Sequence, residues 1–138
     1  MDKIFPENIR IIAEPGRYVG EGALLLFSKV YSTKTMNDGH KHIYINNGIY
    51  QGYYVRVFGE ECDVEPVDKS LMKTRKMHKT TFWGQSCDSC DFILKAKMHP
   101  EYKIGDWVVS RDFGAYNKEM SCNFNGFRMP EIMYYDEI

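Results

Sequence analysis

An all-β domain, closed into a barrel or folded as a sandwich, is the architecture this 138-residue sequence predicts. Three observations predict it. Short runs rich in β-branched and aromatic residues recur along the chain, turn-forming pairs separate them, and no window sustains an apolar face at i, i+3, i+4 and i+7. The length suits one domain, residues 1–138, with room for a real core.

The first expected strand is Ile9 to Ala13, stopped by Pro15-Gly16. Ala23 to Tyr31 forms the second. The polar stretch Thr33 to Lys41, with Asn37-Asp38-Gly39 inside it, reads as a mobile loop. His42 to Ile45 is the next strand, ended by Asn46-Asn47-Gly48, and Tyr53 to Phe58 the one after it. Pro66 to Lys79 alone has the makings of a helical turn. Its basic run (Lys73, Arg75, Lys76, Lys79) is expected on a solvated loop. Gly105-Asp106 introduces a strand at Trp107 to Ser110, and Asn125-Gly126 precedes a last one at Ile132 to Tyr135.

Charge and composition remove several functions. With 18 basic and 19 acidic residues the net charge is -1, which leaves no footprint for nucleic acid or an anionic membrane. No apolar stretch approaches bilayer length, and the opening Met-Asp-Lys-Ile-Phe-Pro lacks the apolar centre of a secretory leader. A cytoplasmic location is expected. The four cysteines, Cys62, Cys87, Cys90 and Cys122, are then read as reduced thiols. Cys87-x-x-Cys90 is half of a zinc site, but no second pair follows, and His40 and His42 stand too far off in sequence to complete it. No metal is expected.

Four segments carry chemistry. In Glu14-Pro15-Gly16-Arg17-Tyr18 an acid and a guanidinium lie three residues apart where a strand ends, so they can address two ends of one ligand. Taken alone, that segment is better read as an ordinary turn with a surface ion pair. Trp83-Gly84-Gln85-Ser86-Cys87-Asp88 sets a thiol beside a carboxylate on a small-residue loop. That suits a reactive cysteine next to a cation-binding group, or a plain loop with a half-buried thiol. In Phe113-Gly114-Ala115-Tyr116 a tyrosine hydroxyl is placed to donate to an anion such as phosphate. Asn123-Phe124-Asn125-Gly126-Phe127 offers aromatics suited to core or to a ligand wall.

In this order the four segments resemble the C-terminal domain of the fold-type III decarboxylases that use pyridoxal 5'-phosphate (PLP), the group acting on ornithine, lysine, arginine and diaminopimelate. The likeness runs from Ile12 to Tyr135. Cys87-Asp88 and Phe124-Asn125-Gly126-Phe127 are similar to the ornithine branch, whereas the diaminopimelate branch has Glu after this cysteine. The resemblance implies a Greek-key-like β-barrel or sandwich, as in the C-terminal domains of alanine racemase and ornithine decarboxylase. It implies that Glu14 faces the pyridine nitrogen of PLP and that Arg17 and Tyr116 hold its phosphate. It also implies that Cys87 crosses a dimer interface to return a proton to the substrate Cα. Asp88 would hold the distal amine, and Phe124 would wall the pocket.

Two departures accompany the likeness. The cofactor lysine and phosphate loop of the family lie in an N-terminal (β/α)8 barrel of ~250 residues, which this sequence does not encode. The expected partners are therefore that barrel, a second subunit of a homodimer and a small basic amino acid, and the chain alone is expected to be inactive. The second departure concerns an acid that binds the distal amine in ornithine enzymes. Its position here falls in Phe58-Gly59-Glu60-Glu61, on Gly59, so Glu60 is the candidate replacement. A non-catalytic homologue serving as a regulatory or dimerisation partner is the alternative reading.

Overall fold

The computed structural model describes residues 4–6 and 8–135. Its centre is one six-stranded sheet, curled into a half-barrel, with the order β3-β6-β1-β2-β4-β5. The strands are β1 (Leu26–Thr35), β2 (Lys41–Ile45), β3 (Glu65–Pro66), β4 (Met77–Trp83), β5 (Phe92–Pro100) and β6 (Trp107–Ser110). Two single-turn helices, α1 (Arg17–Gly20) and α2 (Leu71–Thr74), lie outside it.

β1 pairs on both sides, and burial alternates along its first half. Leu26, Ser28 and Val30 face inward while Phe27, Lys29 and Tyr31 face out. Its first half pairs with β6 (Leu26 with Ser110) and its second half with β2 (Val30 with Ile45, Thr35 with Lys41). The register shifts between Val30 and Ser32, where the strand bends and the sheet curls. Val30, Ile43, Ile45, Phe82, Ile93 and Val108 then fill the concave side. Tyr53 joins them fully buried, its hydroxyl 3.0 Å from Ser110 Oγ. Burial pushes that phenol up to about 12.

The mostly-β architecture is as expected, but several elements differ. Ile9 to Ala13 joins no strand: Ile9, Ile11 and Ile12 are exposed, and no β-partner among the described residues meets them. Ile132 to Tyr135 is likewise outside the sheet, with Met133, Tyr134 and Tyr135 in solvent. Tyr53 to Phe58 is not a strand but a 3-10 turn over Tyr54–Phe58. Glycines at both ends force this: Gly52 and Gly59 take φ of 143° and 84°, which an extended run of L residues does not. The segment expected as a mobile loop is a hairpin. β1 continues to Thr35, and Met36 and His40 close the turn through a 2.8 Å backbone hydrogen bond.

β4 and β5 were not expected at all. In β4, Thr80, Thr81 and Phe82 are buried in succession, and Lys79, assigned to a solvated loop, lies on the strand with its side chain outward. β4 runs parallel to β2, with Lys41 opposite Thr80 and Tyr44 opposite Trp83, whereas the other strand pairs are antiparallel. Parallel neighbours end on the same side of a sheet. The loops after β2 and after β4 therefore leave the sheet together.

Candidate functional site

The loop after β2 carries Tyr50, and the loop after β4 carries Cys87 and Asp88. Because the loops emerge side by side, the Tyr50 hydroxyl donates to Asp88 Oδ2 at 2.6 Å. The Cys90 backbone N–H donates to Asp88 Oδ1 at 2.8 Å. The Tyr50 phenol, followed by that backbone donor, holds the Asp88 carboxyl below the usual carboxylate range. The same hydrogen bond pushes the Tyr50 phenol up to about 12.

A third segment completes this group. Asn125 and Gly126 take φ of 50° and 80°, and Phe124 and Phe127 exchange backbone hydrogen bonds of 3.1 and 2.9 Å. Positive φ at both central residues gives the two-residue turn that Asn-Gly favours. The turn sets the Phe124 ring flat on Tyr50, with centroids 3.9 Å apart and planes 19° apart. It also brings Asn125 Nδ2 to within 3.2 Å of Cys87 Sγ, to which it donates. The structure thus gathers Cys87, Asp88 and Phe124, with Cys87 exposed to solvent.

Arg17, Tyr116 and Glu60 form a second group around α1. The Arg17 guanidinium lies 5.2 Å over the Tyr116 ring. Tyr116 holds a left-handed φ of 61°. Its hydroxyl is packed so close to Gly16 that a Cβ there would lie 3.0 Å away. Arg17 also donates to both Glu60 oxygens, at 3.0 and 2.9 Å, and to Glu21 at 3.1 Å. Glu60 is therefore grouped with Arg17 and not with Asp88. Gly59 just before it ends the 3-10 turn in the left-handed region, a position that disfavours the aspartate of the ornithine pattern. Beside the Arg17–Glu60 pair opens a cavity of about 260 Å³, lined also by Glu21, Glu61, Arg111 and Asn117. Glu14 is exposed on the segment leading into α1 and makes no side-chain hydrogen bond among the described residues.

No side-chain hydrogen bond or ion pair among the described residues joins the two groups. No set of three or more His, Cys, Asp or Glu residues there could hold a metal ion. No helix among them is long and apolar enough to cross a membrane. Sequence reasoning passed over two residues of the first group: Tyr50, and Asp91, buried beneath the Cys87 loop. An acid heading the apolar run Phe92-Ile93-Leu94 was the available signal for Asp91.

Residues 17–114 match the family described as pyridoxal-dependent decarboxylase, C-terminal sheet domain. The chain belongs to this family. A probable ornithine decarboxylase of Dictyostelium discoideum is 36% identical, the match covering 99% of this chain and 32% of that protein. An antizyme inhibitor 2 of Xenopus laevis is 32% identical, covering 97% and 32% respectively. Among solved structures, the lysine/ornithine decarboxylase of Vibrio vulnificus superimposes with a TM-score of 0.83 at 24% identity, over 98% of this chain and 36% of that one. The arginine decarboxylase of Paramecium bursaria Chlorella virus gives 0.77 at 29% identity, over 91% and 34%. The chain spans about a third of the length of these decarboxylase relatives.

The cofactor of the family can be tested against the residues present. Arg17 and Tyr116 place a guanidinium and a hydroxyl on one surface, and glycine at 16 lets that hydroxyl lie close against the backbone. Two such donors suit a phosphate dianion. The pair fits the group.

Proposed function

We propose that this chain is the sheet domain of a PLP-dependent decarboxylase of basic amino acids, and that a complete site is built from two copies. The observation that carries the reading is that, among the described residues, no side-chain hydrogen bond or ion pair joins the two groups within one chain. Glu14, Arg17 and Tyr116 serve the PLP bound by the barrel of the same subunit, while Cys87, Asp88 and Phe124 serve the site of the other subunit.

PLP supplies an electron sink for the pair left at the substrate Cα when carbon dioxide departs. Arg17 and Tyr116 hold the phosphate, and Glu14 presents its carboxylate to the ring nitrogen. Asp88, with its charge favoured by Tyr50, accepts the distal cation of the substrate. Phe124, stacked on Tyr50, closes the apolar wall along the substrate's methylenes. Cys87 Sγ delivers the proton to Cα.

Without a barrel the chain is inactive. With one, it acts as a cytoplasmic homodimer in polyamine biosynthesis and prefers arginine over lysine and ornithine. The substrate preference rests on Gly59, which removes one acid from the ornithine pattern, and on Glu60, which reaches substrate only by leaving Arg17. The test uses the enzyme assembled with its barrel and all three amino acids. Cys87→Ala should lower kcat by ~10²–10⁴-fold, the usual worth of a general acid, and Cys90→Ala should leave it nearly unchanged. Equal losses, or a kcat/KM highest for ornithine, would refute the corresponding part.

A second reading, a non-catalytic regulatory or dimerisation partner, is favoured by the likeness to the antizyme inhibitor and by Gly59. Absence of decarboxylation by the assembled protein would select it.

A further inference from the structure

We propose that Asp91 is a positioning residue, setting Cys87 and Asp88 for substrate by tying their loop to the loop of Tyr50. The inference rests on the reading above, in which Cys87 and Asp88 meet the substrate.

Asp91 is 1% exposed. Its carboxylate accepts from the Ile49 backbone N–H at 2.8 Å, the Ser86 backbone N–H at 3.0 Å and the Ser86 hydroxyl at 2.7 Å. Ile49 belongs to one loop and Ser86 to the other, so one side chain spans the gap between them. The Ser86 Oγ also accepts from the Asp88 backbone N–H at 3.3 Å. The tie therefore passes from Asp91 through Ser86 to the backbone of Asp88. On the opposite side, Ile49 adjoins Tyr50, whose hydroxyl bonds the same Asp88.

The space around Asp91 admits a carboxylate against bare backbone. A Cβ on Gly48 would lie 2.4 Å from Asp91 Oδ1, and one on Gly84 2.1 Å from it. Both glycines are adjacent to the tied segments, and neither has a positive φ that would otherwise call for glycine. All three partners of Asp91 donate, and two of them are backbone N–H groups with no freedom to reverse. An asparagine would turn its NH₂ toward one of those donors and break the tie without changing the volume.

The experiment follows the Asp88 carboxyl titration by carbon NMR in this chain, with backbone amide shifts in β1, β2 and β6 reporting the fold. In the parent chain Asp88 titrates below the usual carboxylate range. In Asp91→Asn it should rise into that range while the sheet resonances stay in place. Gly84→Ala should give the same rise with Asp91 intact, because the new methyl expels the carboxylate. Ser86→Ala, which removes one of the three donors to Asp91 and the acceptor of the Asp88 N–H, should also raise it and decides the matter if Gly84→Ala does not fold. An unchanged Asp88 titration in folded Gly84→Ala, which keeps the Asp91 charge, or in folded Ser86→Ala where the former is unfolded, would overturn the proposal. In the assembled enzyme, Asp91→Asn should lower kcat in the direction of Cys87→Ala. A shifted Asp88 with unchanged kcat would leave the tie standing and remove the catalytic reading of Cys87 and Asp88.

Discussion

The two groups of the candidate site are held by different physics. Around Asp88, a buried carboxylate, backbone donors, a short phenol hydrogen bond and two stacked rings fix the geometry from within the domain. Around Arg17, the partners are carboxylates open to solvent, and the fork to Glu60 joins side chains 38% and 45% exposed. Exposed pairs of this kind contribute little to stability, up to ~1 kcal/mol. On the function proposed, the group around Asp88 comes ready-made for substrate, whereas the group around Arg17 is held in a pairing that a phosphate would have to displace.

Three substitutions test this contrast. The largest effect is expected from Gly114→Ala. A Cβ there would lie 1.7 Å from the Gly20 carbonyl oxygen, backbone against backbone, at the contact that seats the Tyr116 segment on α1. Overpacking of this kind costs about 1–3 kcal/mol, read as a lower denaturant midpoint. The Arg17–Tyr116 contact should be lost while Tyr50 and Phe124 remain stacked.

Next comes Glu60→Gln. It removes the charge that competes with an anion for Arg17, so inorganic phosphate should bind up to about fivefold more tightly, in line with the worth of an exposed ion pair. A phosphate titration of the Arg17 Nε–H resonance measures this. No gain would mean that Glu60 does not occupy the phosphate position.

The smallest effect concerns pH. A carboxyl whose folded pKa is depressed adds stability that is full above its unfolded pKa and fades as pH falls through the folded one. Asp88 is such a group, with Tyr50 the first cause. Tyr50→Phe keeps the ring over Phe124 but removes the donor, so the loss of stability below pH ~4 should become shallower. Chemical denaturation at a series of pH values from neutral downward checks it.

What was legible in the sequence divides along similar lines. β2 and β6, and most of β1, were read from their own residues, because each is a short run rich in β-branched and aromatic residues. β4 and β5 were not, because Thr80 and Thr81 point inward and lysines and histidines interrupt both runs. The site residues could be named because Cys87-Asp88 and Phe124 to Phe127 are local motifs. Tyr50 and Asp91 could not, since their roles exist only once β2 and β4 lie in parallel, a pairing that no local pattern encodes.

That parallel pairing also sets an order of assembly. The β1–β2 hairpin closes through the short turn at Met36 to His40, whereas β2 finds β4 only after residues 46–76 have looped back. Contacts distant along the chain cost more loop entropy and form later than local ones. The loop carrying Tyr50 therefore waits for the loop carrying Cys87 and Asp88 until this non-local contact of the sheet is made. A nascent or partly folded chain can hold its first hairpin without yet possessing the surface around Cys87 and Asp88.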